Sequence, residues 1–147
     1  MPQAHDDITF GLALVGFAML ASDAARSCRG SGSRAWTVAT VAVVLAHVGC
    51  VWGLRYGFDA AAMWRKGAVV FVLFHGAALA LVAAAFLRES WRRRCVVAAF
   101  GVVCVGALPA PFRYPELALL RWPVLAIAAA AAGAIVRGGR RQPTAAR

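Results

Sequence analysis

Apolar residues gather in five long runs, at about 8–25, 35–54, 67–87, 95–112 and 117–136, with short polar or charged stretches between them. A helix rises about 1.5 Å per residue and a bilayer core is about 30 Å thick, so runs of roughly 20 residues are of spanning length. The pattern predicts an all-α, polytopic integral membrane bundle of five transmembrane helices. It forms one domain over residues 1–147, whose last segment, 137–147, is a basic cytoplasmic tail. The first run follows MPQAHDD, where Asp6 and Asp7 stand in place of the basic leader of a secretory signal, so it reads as a retained span, slightly short for the bilayer.

Within the runs, polar positions are few and periodic. In the second, Thr37, Thr40, Val44, His47, Cys50 and Leu54 recur at helical spacing and define one face, expected to look into the bundle because hydrocarbon penalises unsatisfied polar groups. In the third, Ala68, Phe71, His75, Ala78 and Val82 make the equivalent face. RSCRGSGSR (26–34) and RESWRRR (88–94) read as loops at one surface. RYGFDAAAMWRK (55–66) lies at the other, with Trp52, Tyr56, Phe58 and Trp64 placed as rings that settle at headgroup level. PAPFRYPE makes a turn before the fifth run, and Arg121 lies near enough to the surface to snorkel.

Composition agrees with this picture. The chain is 62% hydrophobic, with a mean hydropathy of +0.70, well beyond the soluble norm of about half apolar. A net charge of +10 would fit nucleic acid if the basic residues formed one solvated surface. They lie between apolar runs instead, so the reading is no nucleic acid and contact with a lipid bilayer carrying anionic headgroups. Fifteen arginines against one lysine, amid alanine, valine and glycine, point to a GC-rich bacterial genome. Eleven of the sixteen Lys/Arg residues fall on the side of the 26–34 and 88–94 loops and the tail, with Arg55, Arg65, Lys66, Arg113 and Arg121 opposite. The positive-inside rule then gives a multi-pass protein of the bacterial inner (cytoplasmic) membrane, N-terminus outside and C-terminus cytoplasmic.

Candidate chemistry rests on two histidines. His47 lies eight residues before Arg55 and His75 nine after Lys66, so both sit roughly 12 to 13 Å below the same surface on neighbouring helices. Haem iron accepts two neutral imidazoles from facing helices. The spacing therefore makes His47 and His75 candidate ligands of one haem b, with Arg55, Arg65 and Lys66 placed for its propionates and membrane electron transfer as the function. A second reading adds sulfur. Cys50 is one turn from His47, and Cys104 lies nine residues before Arg113 at similar depth, so His47, His75, Cys50 and Cys104 would form a copper or zinc site. Against both stands a packing role, in which the imidazoles hydrogen-bond each other, a carbonyl or Thr40 and hold helices together.

The alternative function is then a non-catalytic structural or assembly subunit, packed against other membrane protein subunits or in a homo-oligomer. Its small-residue faces would include Gly11, Gly16, Ala18 and Ser22 on the first run and Ala129 with Gly133 on the fifth. Enzyme signatures such as GxSxG, Walker, HExxH and dinucleotide-binding sequences do not occur, so no catalytic activity of the chain's own is expected. The acidic residues are assigned to the two surfaces, Asp23 and Glu89 to the basic one.

Overall fold

A computed structural model of the chain describes residues 2–113 and 115–140; the side chains of residues 2–6, Lys66, Val70, Glu116 and Arg140 lie outside that description, as does most of the tail. The described chain is helical throughout. It comprises α1 (Pro2–Cys28), α2 (Arg34–Cys50), which continues as a π-helix over Val51–Arg55, α3 (Ala60–Phe86), α4 (Glu89–Ala107), the short α5 (Ala110–Arg113), a 3₁₀ segment (Pro115–Leu120) and α6 (Arg121–Arg140). Five stretches are long and apolar enough to cross a membrane: Asp7–Cys28, Arg34–Arg55, Gly67–Phe86, Glu89–Arg113 and Leu117–Gly139.

Local chemistry explains the boundaries. α1 ends where Gly30 takes φ +75°, a conformation open to a residue without Cβ. The Ser31 N–H then reaches the Arg26 carbonyl (3.0 Å) and the Gly30 N–H the Ser27 carbonyl (3.3 Å), the paired bonds of a Schellman stop. Ser33 starts α2 by accepting the Trp36 N–H at 3.2 Å, and Asp59 starts α3 by accepting the Ala62 N–H at 3.0 Å. Such caps are each worth about 1 kcal/mol.

α1 is the central helix. It packs against α2, α4 and α6, while α3 lies along α4 and touches α2. Phe17, Leu20, Ala21 and Ala24 of α1 meet Ala77, Leu81 and Ala84 of α3, Val96, Ala99 and Phe100 of α4, and Val124 and Ala131 of α6. The Phe17 and Phe100 rings lie 5.8 Å apart. Half of these core positions are alanine, so the helices approach closely and the attraction is mainly dispersion between near backbones.

The chain folds back and forth between two ends. At the basic end lie the 29–33 turn and the Leu87–Arg88 turn, linked by Arg34 donating to the Leu87 carbonyl at 3.2 Å. At the aromatic end lie Phe10, Trp52, Arg55 and the Gly57–Asp59 turn, where the Arg55 guanidinium stands 5.4 Å from the Phe10 ring centre.

Three boundaries differ from the sequence expectation. The fourth apolar run begins at 95, but α4 begins at Glu89, so Ser90 to Arg94 are helical rather than loop. Four closely spaced arginines resemble a loop by polarity, yet arginine is a good helix former and the 3.6-residue period of Arg92, Val96 and Ala99 puts them on one buried face. Likewise Ala60–Lys66, expected within a connection, forms the first turns of α3, broken from the rest at Gly67, whose φ of 172° and ψ of 77° are not helical. The first helix continues to Cys28, beyond the expected 25.

Candidate functional site

The residues expected to share one cofactor are directed at different partners. His47, half-buried on α2, places Nδ1 3.1 Å from the Thr9 carbonyl of α1. His75, half-buried on α3, places Nδ1 2.7 Å from the Phe71 carbonyl one turn earlier, and its Nε2 accepts the Trp52 indole N–H at 2.8 Å. An indole nitrogen can only donate, which requires His75 to be the neutral tautomer with its proton on Nδ1. Both ring nitrogens of His75 are therefore engaged inside the protein.

Helix rotation produces this arrangement. Five residues separate His47 from Trp52, about 140° around an α-helix. The face of α2 that meets α3 carries Trp52, and His47 is turned toward α1. The π-helical turn Val51–Arg55 falls at this point; such turns insert a residue into the helix and re-aim its side chains. Rings then complete the cluster. Phe71 stacks on His75 with centroids 4.1 Å apart, Trp52 meets His75 edge-on at 5.6 Å, and Trp64 meets Phe71 edge-on at 5.8 Å.

The remaining candidates are dispersed. Arg65 is exposed and stands 4.0 Å from Asp59, and Arg55 is over Phe10; the Lys66 side chain lies outside the described residues. Cys50 and Cys104 are half-buried free thiols, and no group of three or more His, Cys, Asp or Glu side chains converges among the described residues. The Thr40 hydroxyl, a candidate histidine partner, bonds the Trp36 carbonyl of its own helix at 3.0 Å. Arg121 donates from Nε to the Pro111 carbonyl at 2.7 Å, which folds the turn before α6. The polar face of α2 is buried at Thr37 and Thr40, half-buried at Val44, His47 and Cys50, and exposed at Leu54.

A second polar cluster lies at the basic end, where surface positions were expected for Asp23 and Glu89. Asp23 is wholly buried, at 0% exposure, and among the described residues neither carboxylate oxygen has a partner in hydrogen-bonding geometry. Thr37 of α2, Arg92 of α4 and Arg26 are the polar groups that act on it. Arg92 is only 7% exposed and donates to the Gly32 carbonyl at 3.3 Å. One turn from Asp23, the Ser27 hydroxyl, on a residue 6% exposed, also has no partner, nor has the Trp36 indole nitrogen. The missed signal is periodicity: Leu20, Ala24, Ser27 and Cys28 are buried together, and Asp23 falls within that face instead of at the helix end.

Between the two turns of this end, Ser27, Gly30, Gly32, Glu89, Ser90, Arg92 and Arg93 line a half-open cavity of about 360 Å³. No protein-family model matches this chain, and no curated protein or solved structure is similar to it, so any role has to be read from these two clusters alone.

Proposed function

We propose that this protein is a non-catalytic integral membrane subunit of the bacterial inner membrane, with its basic end cytoplasmic and its N-terminus outside, which packs against other membrane subunits or copies of itself. Its five apolar helices and its segregated arginines support the setting. The observation that carries the role is the closed state of the histidine cluster. With Nδ1 on Phe71 and Nε2 on Trp52, His75 serves as a tie between α2 and α3, and His47 serves as a tie between α2 and α1. Interhelical bonds of this kind contribute about 0.6 kcal/mol each and hold helix rotations in place.

The redox alternative requires different geometry. Bis-histidine haem b would need the indole of Trp52 withdrawn from His75 Nε2 and His47 turned from α1 toward α3. Copper or zinc would need Cys50 or Cys104 drawn to the same place.

Purification in mild detergent separates these readings. The subunit reading expects a reduced-minus-oxidised spectrum without a Soret band, no stoichiometric copper or zinc, and a particle larger than one 15.5 kDa chain. A monodisperse monomer, or a Soret band abolished by His47→Ala and His75→Ala, overturns it.

A further inference from the structure

The cavity at the basic end is built like a seat for a phosphate group. Arg92 and Arg93 line it with positive charge, and Arg92 is more than nine-tenths buried. A guanidinium carries five N–H donors in a fork that matches phosphate oxygens. Among the described residues, Arg92 makes one hydrogen bond, to the Gly32 carbonyl. The wall also holds the first turn of α4 at Glu89 and Ser90, and its N-cap residue, Arg88, supplies no side-chain bond to the open backbone N–H groups. Uncapped N–H groups and the positive end of a helix dipole favour an anion.

Ser27 lines the cavity as a residue that is 94% buried, with its hydroxyl enclosed against Gly32 and closed to solvent. Gly32 shapes the floor: a Cβ there would stand 2.7 Å from Ser27 Oγ, so any larger residue would press on that hydroxyl. Glu89 is exposed and also lines the cavity, and Arg26, Arg29, Arg88 and Arg94 at the same end outweigh it and Asp23 in charge.

We infer that this cavity binds a phosphate-bearing anion, held by Arg92, Arg93 and the α4 N-terminus. Its volume is at the small end of ligand sites, sufficient for a headgroup or a free phosphate compound and far from enough for a large cofactor. It shares the membrane setting proposed above but does not depend on the subunit role.

The test uses the full chain in a neutral detergent, with two probes: inorganic phosphate titrated by calorimetry, and phosphatidylglycerol against phosphatidylcholine followed by native mass spectrometry. Binding of inorganic phosphate identifies a soluble source. Retention of phosphatidylglycerol alone identifies a lipid headgroup. Either supports the site, and binding of neither overturns it.

Arg92 also faces Asp23, so its replacement risks the fold. The informative variant is therefore Arg93→Gln, expected to weaken the bound probe about tenfold with unchanged helicity. Arg137→Gln, at the same end but outside the cavity, is the control and leaves binding unchanged. Equal loss in Arg93→Gln and Arg137→Gln, or no loss in Arg93→Gln, would show diffuse attraction to a basic surface and overturn the proposal.

Discussion

The two polar clusters of this bundle are built from similar materials and end in opposite states. At the aromatic end, His75 uses both ring nitrogens, Trp52 its single donor, and the rings around them stack. At the basic end, Asp23, Ser27 and Trp36 hold buried polar atoms without partners beside an open cavity. A closed network stabilises and specifies a packing arrangement, whereas an incomplete one costs stability unless something binds there. In the proposed reading the histidines tie helices together, and the arginine-lined end is the place for a ligand.

Mutations can break this contrast in a graded way. The largest effect is expected for Arg92→Leu, which leaves Asp23 buried without its facing cation. Unfolding followed by denaturing detergent should show a loss of about 3 kcal/mol, mostly restored in the Asp23→Leu/Arg92→Leu double variant. Full stability in the single variant would mean that Asp23 does not depend on Arg92.

Next comes His75→Ala, which removes the Trp52 bond and the Phe71 stack together, for a loss of about 2 kcal/mol in the same assay. His47→Ala removes one bond to Thr9 and should cost about 0.6 kcal/mol, with no change at the α2–α3 contact as read by Trp52 fluorescence. The smallest change is expected for Ser27→Ala. Deleting an unpartnered hydroxyl should leave the protein as stable as the parent or up to about 1 kcal/mol more so. A clear loss of stability would show that Ser27 already has a partner in the empty protein.

Much of the fold was legible in the hydrophobic pattern. Five apolar runs became five helices of spanning length, because length and hydropathy suffice to mark such segments. The turn at Gly30 was readable from its glycine and serine neighbours, which leave the helix readily. What the pattern could not supply was rotation. His47 and His75 stand at matched positions along their helices, but depth says nothing of which face meets a neighbour, and about 140° of α2 separates His47 from the face that carries Trp52.

Charge also misled the placement of Asp23 and Arg92. Each lies close to other arginines in the chain, which resembles a solvated surface, yet each shares its helix face with buried alanine, leucine or valine. Following the 3.6-residue period through charged residues, instead of stopping at them, would have put both inside.

Paired double-mutant cycles measure most directly which residue of α2 faces His75. Stability would be compared across Trp52→Phe, His47→Ala and His75→Ala and their combinations with His75→Ala. The predicted result is a coupling of about 0.6 kcal/mol or more between Trp52 and His75, with His47 and His75 additive. Strong coupling between the two histidines, with Trp52 and His75 additive, would contradict it.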